Sequence, residues 1–237
     1  MTGVETPADS QISKRTTFVT LLVEVVAVVV IMAGLVFVLT AHLEWTLGWV
    51  YVRLFLTATA INWGCVLRWN PVLIARRIGF GKGTKPWDLV WVVLWAPVMI
   101  AVYVVAVIEL GWVSVTPGAA WLLGLAIFVS GWALLTWSSV VNPFLEKTAR
   151  IQTEHGHRVI ETGPYAYVRH PFYVGLALWM LSTPLLLIST WAFIPAVLAV
   201  VGLMIRTALE DRTLHRELPG YADYTVRIRF RLIPGVW

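Results

Sequence analysis

Long runs of apolar residues constrain this 237-residue chain more than any other feature. A helix of about 20 apolar residues crosses the hydrocarbon core of a bilayer. Six apolar runs follow one another, at residues 18–41, 47–67, 89–108, 120–141, 172–187 and 190–208. The first is too long for a signal-peptide core and has no cleavage pattern after it, so we expect an uncleaved span. The runs predict an all-α integral membrane protein with about six transmembrane helices, four spans plus a C-terminal helical hairpin.

The composition supports a membrane protein. Hydrophobic residues make up 59% of the chain and charged residues 13%, whereas ordinary soluble domains carry about 25% charged residues. The single cysteine, Cys65, lies inside an apolar run. A disulfide framework and a multi-cysteine zinc site are therefore excluded, and we interpret Cys65 as a small buried apolar residue.

The basic residues are unevenly distributed. Of 18 Lys and Arg, two lie in the amino-terminal tail, five in loop 68–88, four in loop 142–170, and six from Arg206 onward, with Arg53 alone inside a run. The three turns between these segments contain none. Since loops rich in Lys and Arg stay on the cytoplasmic side, we expect both termini and both loops to face the cytoplasm. The net charge of +5 then reflects topology, which argues against nucleic acid as a partner.

The polar loop 142–170 ends in the most informative stretch of the chain, which reads Gly-Pro-Tyr-Ala-Tyr-Val-Arg-His-Pro-Phe-Tyr-Val-Gly from Gly163. Loops longer than about 12–15 residues in compact domains are usually functional or disordered. Pro171 is placed where a helix should begin, because proline is tolerated in a first helical turn. Free N–H groups and a partial positive charge make such a turn suitable for a carboxylate or phosphate. Three tyrosines add aromatic faces that could hold a flat ring: Tyr165, Tyr167 and Tyr173.

The two ends of the hairpin should be close in space. The turn before Pro171 enters its first helix, and residues 206–211 leave its second helix on the same side of the membrane. We expect this second helix to continue to Arg216 and to be followed by a turn at Pro219-Gly220. Proline residues at 184 and 195 are expected to bend or thin the hairpin helices. A pocket at the cytoplasmic membrane face follows from this arrangement.

The stretch from Gly163 resembles the signature of the isoprenylcysteine carboxyl methyltransferases and of related membrane phospholipid methyltransferases. A second block is similar to the acidic-pair and tyrosine pattern of that family, and its residues here are Glu210, Asp211, Leu214, Gly220, Tyr221, Tyr224 and Pro234. The resemblance covers residues 142–237, which we take as a methyltransferase region. The apolar runs and the charge pattern divide the rest into a cytoplasmic N-tail (1–17) and a four-helix membrane region (18–141).

The resemblance implies S-adenosylmethionine as the cofactor. It implies cofactor contacts at Gln152, His157, Arg158, Val159, Ile160, Tyr165, Arg169, His170, Pro171, Phe172 and Glu210. These side chains and the free N–H groups after Pro171 offer partners for a carboxylate, an ammonium and an adenine ring. Matching Gln152 requires a small gap in the loop. Asp211 stands where many relatives have a second glutamate, so Glu210 is the stronger prediction of the acidic pair.

Arg206 is the predicted catalytic residue. The resemblance implies that it holds an anionic acceptor, the carboxylate of a prenylated cysteine or a similar lipid-like molecule. It lies four residues before Glu210 and could pair with it on a helix, or it could be an arginine that extends to the membrane surface. A carboxylate is already ionised at neutral pH, so it needs positioning and exclusion of water more than a base. An amine acceptor would need a base, with His170 or Glu210 the nearest candidates.

Three alternatives remain open at this point. A phospholipid N-methyltransferase would use the same cofactor. An NADPH-dependent sterol or enone reductase has a similar C-terminal half, but its related motif usually has asparagine after the proline, where this chain has Phe172. A membrane scaffold or transporter would explain the spans without the clustered Arg, His, Tyr and Glu.

Other features have simpler interpretations. No metal site is expected at His155 and His157, which lack a neighbouring set of ligands. Intramembrane charges such as Glu24 and Arg53 are candidates for function by default, although a direct pair between them is doubtful. The tryptophans are expected mostly at interfaces and facing lipid, and those at belt positions are Trp45, Trp87, Trp112 and Trp191. Ala60 and Gly64 have the small-residue spacing of packed membrane helices.

Overall fold

The computed structural model describes residues 45–76, 83–110 and 117–237, and within these ranges all regular structure is helical. The α-helices are α1 (Thr46–Trp69), α2 (Pro71–Arg76), α3 (Pro86–Leu110), α4 (Ala119–Val141), α5 (Pro171–Leu187), α6 (Phe193–Glu217) and α7 (Tyr221–Arg227). Short 3₁₀ turns occupy Thr153–His155 and Gly163–Ala166 of the long loop. Helices α2, α3 and α5 each begin on a proline, whose missing N–H has no intrahelical partner in a first turn.

Four of these helices, α1, α3, α4 and α6, are long and apolar enough to cross a membrane, and α5 is a shorter apolar helix. The second, third and fourth predicted spans and the C-terminal hairpin are therefore present as helices. The first predicted span, residues 18–41, lies outside the described residues, as do Glu24 and Trp112. A total of six spans stays a prediction.

Helices α4 and α5 make the closest helix contact described, and glycines allow it. A Cβ on Gly175 would lie 2.8 Å from the carbonyl oxygen of Gly131, and one on Gly131 would lie 2.9 Å from that of Gly175. Among the described residues, no atom lies within 4 Å of a Cβ added to Gly64, whose spacing is that of packed membrane helices. The close helix contact in the described ranges uses glycines of α4 and α5 instead.

Tryptophans join α3 to α6. Trp91 donates its indole N–H to the carbonyl of Gly202 at 2.7 Å, and Trp95 donates to that of Ala199 at 2.9 Å. Trp45 is buried in the core, whereas Trp191 is 63% exposed. The prediction of a surface belt therefore fails at Trp45, since the tryptophans in the described part of the chain also serve helix packing.

Segments that the sequence predicts on one side of the membrane meet at one end of the bundle. At one end, Lys85 and Asp88 at the start of α3 contact Ala149 of the long loop through main-chain and carboxylate hydrogen bonds. At the other end, Glu109 of α3 contacts the turn between α5 and α6. The orientation of these ends relative to the cytoplasm stays a prediction.

The hairpin has the predicted course, with one correction. Helix α6 continues through the acidic pair to Glu217, and Gly220 follows with a φ of +80°, which suits glycine in the predicted turn. Pro184 lies inside α5. Pro195 was expected to bend its helix, but it lies in the first turn of α6, where it interrupts no helical hydrogen bond.

Candidate functional site

A cavity of about 1040 Å³ lies at the end of the bundle where the basic segments meet. Its polar part is lined by the long loop, the last turns of α6 and the helix α7. Its apolar part is lined mainly by α3 and α5, and the residues there are Trp91, Val92, Trp95, Ala96, Met99, Ile100, Tyr103, Val104, Phe172, Tyr173, Leu176 and Trp179, with Phe55 from α1. The site thus combines a polar chamber with an apolar groove.

Most of the predicted site residues line this cavity, namely His157, Arg158, Val159, Ile160, Tyr165, Arg169, His170, Phe172, Arg206 and Glu210. Their role in binding stays a prediction, but the structure brings them together from three separate segments. Tyr167, one of the three predicted aromatic faces, is 69% exposed and does not line the cavity. That part of the prediction was wrong, because the tyrosine follows a 3₁₀ turn that points it outward.

Gln152 and Pro171 lie behind the cavity wall. Gln152 is buried, and its Nε2 donates to the carbonyl of Phe144 at 2.7 Å, while its Oε1 is buried without a partner. Its backbone N–H donates to Nδ1 of His157 at 3.3 Å, and the His157 ring stacks on Phe144 with centroids 4.7 Å apart. Gln152 therefore shapes the loop that carries His157. Pro171 starts α5, as predicted.

Arg206 is buried and pairs with an aspartate of the neighbouring helix α3. Its Nε donates to Oδ1 of Asp88 at 2.8 Å, and its Nη2 donates to Oδ2 at 3.2 Å and to the carbonyl of Lys147 at 2.7 Å. With 7% of the residue exposed, it does not extend to the membrane surface. The partner that the helical spacing favoured was Glu210. Asp88 forms the ion pair instead, because it approaches from α3 with ideal bidentate geometry.

Arg206 marks the junction between the polar and apolar parts of the cavity. Its guanidinium carbon lies 4.6 Å from the ring centroid of Trp91 and 5.3 Å from that of Tyr173. Aromatic faces attract a cation at such distances. Within the described part of the chain, the hydrogen bonds of the guanidinium use Nε and Nη2. The remaining nitrogen, Nη1, is the one left for a ligand in the cavity.

The acidic pair divides into two roles. Glu210 lines the cavity and accepts a hydrogen bond from the hydroxyl of Tyr173. Asp211 is buried on the next face of α6, where it accepts from Arg231 at 2.8 Å and from the hydroxyl of Tyr221 at 2.9 Å. Nε2 of His170 lies 3.3 Å from Asp211, also within hydrogen-bond distance. Glu210 is thus the carboxylate that faces the cavity, and Asp211 is occupied by partners within the protein.

The Asp211 network fixes the turn before α5. Nε of Arg169 lies 3.3 Å from Oδ1 of Asp211, which is close enough for an ion pair although the angle excludes a hydrogen bond. The backbone N–H groups of Arg169 and His170 donate to the carbonyls of Phe230 and Arg231, each at 3.0 Å. The C-terminal segment therefore holds the predicted binding turn in place.

Two tyrosines of α7 complete the polar part. The hydroxyl of Tyr224 donates to the carbonyl of Tyr165 at 2.8 Å, which ties α7 to the loop. Burial, and then the charge of Asp211, raises the pKa of Tyr221 well above its usual range. Burial likewise raises the pKa of Tyr224. Both phenols therefore stay protonated and remain donors at any physiological pH.

No group of three or more His, Cys, Asp and Glu side chains in the described ranges is placed to hold a metal ion. One residue that the sequence interpretation passed over proves central, namely Asp88, the partner of Arg206. Tyr173 was predicted only as an aromatic face, and its hydroxyl also donates to Glu210. Asp88 left no usable signal, because a carboxylate in the first turn of a helix is favourable there without a partner.

These features define a helical membrane protein with an amphipathic cavity at one end. Residues 122–216 match the model of the isoprenylcysteine carboxyl methyltransferase (ICMT) family, which confirms the resemblance inferred from the sequence. The match begins within α4 and ends before the turn at Gly220. The resemblance covered residues 142–237, so the match both begins and ends earlier.

A solved structure of the eukaryotic intramembrane Ras methyltransferase ICMT, without a monobody, also aligns with the chain. The alignment covers 98% of this chain and 99% of the other, with 17% sequence identity and a TM-score of 0.44. A TM-score below 0.5 does not establish a shared fold, so the family match carries the comparison. Among curated proteins no match was found.

Proposed function

We propose that the protein is an integral-membrane methyltransferase that moves the methyl group of S-adenosylmethionine to a lipid-like acceptor, most simply the carboxylate of a prenylated cysteine. The observation that carries this proposal is the single cavity in which the polar chamber and the apolar groove meet at Arg206. The family match supports the reaction class. The basic segments around the polar chamber favour a cytoplasmic opening.

The residues of the polar chamber fit the chemistry of the cofactor. Arg169 and the first turn of α5 suit its carboxylate, and Glu210 suits its ammonium. The apolar and aromatic surface offered by Leu214, Leu218 and Tyr221 suits an adenine ring. When bound, S-adenosylmethionine supplies a methyl group activated by a sulfonium. The protein's part is to hold the two partners in line and to exclude water.

Arg206 would hold the acceptor carboxylate through Nη1. Because Asp88 already shares the guanidinium charge, the acceptor is oriented without being strongly neutralised, and its oxygen keeps its nucleophilicity. The apolar groove between α3 and α5 would hold the lipid chain. Ala96, Ile100 and Val104 line this groove and are exposed, so the groove opens sideways along α3, where lipid would lie.

A carboxylate acceptor fits this site better than an amine. An amine needs a base, and both candidate bases already have partners, His170 with Asp211 and Glu210 with Tyr173. A carboxylate needs none. This difference favours O-methylation over phospholipid N-methylation.

The testing experiment is calorimetric binding of S-adenosylhomocysteine and, separately, of NADPH to detergent-purified protein. We expect S-adenosylhomocysteine to bind and Glu210→Gln or Arg169→Ala to abolish its binding. The matched control is Glu217→Gln, in the last turn of the same helix, where the carboxylate pairs with Lys85 outside the cavity. NADPH binding alone would move the protein to the reductases, and binding of neither would leave a membrane scaffold or transporter.

A further inference from the structure

The apolar groove extends deep into the helical bundle. Its α3 wall begins at Trp91 and ends at Val104. These residues are thirteen positions apart, about 20 Å along the axis at the usual helical rise. The facing wall is α5, from Phe172 to Trp179. A single extended lipid chain could therefore run from Arg206 across the depth of one leaflet of the bilayer.

The deep end of the groove is formed by aromatic side chains that a buried tyrosine holds together. Tyr103 and Trp179 line the groove there, together with Phe55. Behind them lies Tyr51, which is 2% exposed and does not line the groove. Its hydroxyl lies 3.1 Å from that of Tyr103 and accepts from Nε1 of Trp179 at 3.0 Å. It is also hydrogen-bonded to Thr183 at 3.0 Å.

This arrangement is rigid for a physical reason. Hydrocarbon supplies no hydrogen-bond partners, so a phenol or indole inside the membrane region keeps the protein partner that it has. Packing behind the hydrogen bonds adds to the restraint, since the Tyr51 ring meets Phe128 edge-on at 6.1 Å and Phe55 lies 5.5 Å from Trp179. Tyr103 and Trp179 are therefore fixed on α3 and α5, and they cannot swing aside without losing buried hydrogen bonds.

We propose that Tyr103 and Trp179, held by Tyr51, close the groove and set the longest lipid chain that the acceptor can carry. This inference rests on the proposed function and deepens it. A chain that ends before Tyr103 is fully covered, whereas a longer one must displace the wall or bend out through the side opening. Tyr103 is then a specificity-determining residue, and Tyr51 is a positioning residue that acts through it.

The test compares prenylcysteine acceptors that carry geranyl, farnesyl and geranylgeranyl chains. For the wild type, we expect kcat/KM to drop sharply from one chain of this series to the next longer one. Tyr103→Ala should move that break to the next longer chain and raise kcat/KM for it by about 10-fold or more, the size of effect typical of pocket contacts with a few carbons. Tyr51→Phe should give a smaller shift in the same direction, because it removes the brace and leaves the lining intact. The control is Ile108→Ala, on the same helix, exposed and outside the groove.

A second readout separates this inference from the proposed function. Binding of the corresponding prenylcysteine amides, which lack the acceptor carboxylate, is measured by calorimetry on the same variants. One outcome is that the amides bind with the expected change in preferred chain length while no variant transfers a methyl group. That result would support Tyr103 and Trp179 as the end of the groove and would contradict the proposed methyl transfer. An unchanged chain-length ratio in Tyr103→Ala, by rate or by binding, overturns the wall and indicates that long chains leave through the side opening. Failure of every prenyl compound to bind overturns both.

Discussion

The two ends of the helical bundle secure their turns in different ways. At the site end, buried carboxylates pair with arginines: Asp88 with Arg206, and Asp211 with the half-buried Arg231. At the opposite end, Glu109 accepts from the hydroxyl of Ser189 and from two backbone N–H groups of the α5–α6 turn. Buried ion pairs are poor contributors to net stability compared with apolar packing. Their presence around the cavity fits the proposed reaction at the site end, whereas Glu109 holds the turn at the far end.

Removing Asp88 should have the largest effect. Asp88→Asn leaves the buried guanidinium of Arg206 uncompensated, which typically costs about 3–5 kcal/mol in the free energy of unfolding. We expect methyl transfer to be lost as well. Thermal unfolding in detergent and a transfer assay measure the two effects.

The double variant Asp88→Asn/Arg206→Met separates them. It removes both buried charges, so the unfolding temperature should rise again while transfer stays absent. If Asp88→Asn is as stable as the wild type, the ion pair of Asp88 with Arg206 contributes nothing to the free energy of unfolding.

Gly175→Ala should have the next largest effect. Gly175 lies in the close contact of α4 with α5, between the two ends of the bundle. The added methyl would lie 2.8 Å from the Gly131 carbonyl oxygen and 2.8 Å from Cγ of Leu135. Overpacking of this kind costs about 1–3 kcal/mol, and the displaced first turn of α5 should lower affinity for S-adenosylhomocysteine. Gly64→Ala is the matched control, since an added Cβ there meets no atom of the described residues within 4 Å. Equal unfolding temperatures for the two variants would contradict the close contact.

Glu109→Gln should lower stability without changing the site. The variant loses the charge that strengthens three hydrogen bonds to the α5–α6 turn, an effect on the order of 1–2 kcal/mol. Affinity for S-adenosylhomocysteine and the transfer rate per folded molecule should be unchanged, because the turn is at the far end. A weakened affinity would mean that the two ends are coupled, and the contrast between them would no longer hold.

Lys85→Ala should have the smallest effect. Lys85 forms an ion pair with Glu217 at 2.7 Å on the surface of the site end. Such pairs contribute about 0–1 kcal/mol, and salt screens them. We expect a small fall in unfolding temperature at low salt that disappears at high salt. A loss comparable to that of Asp88→Asn would show that exposed charges matter as much as buried ones here.

The helices and much of the site were predictable because their signals are local. Apolar runs gave α1, α3, α4 and the hairpin, and two short blocks gave the residues around the polar chamber. The Arg169–Pro171 turn was predictable because proline at a first helical position leaves a pattern in the sequence.

The missed features depend on contacts between distant parts of the chain. Asp88 meets Arg206 across 118 positions, and Tyr51 meets Thr183 across 132. Neither contact leaves a spacing pattern, because the period of one helix says nothing about the helix that faces it. The Gly131–Gly175 contact escaped for the same reason, although each glycine was visible.

The backbone bonds from Arg169 and His170 to Phe230 and Arg231 have a consequence for biogenesis. A ribosome makes the loop and α5 well before it makes the segment around Phe230. The membrane helices can insert and pack during that interval, but the turn before α5 lacks its partners until the later segment emerges. Ligand binding should thus be the last property the nascent protein acquires, and a chain stalled after α7 should be inserted in the membrane yet unable to bind the proposed cofactor.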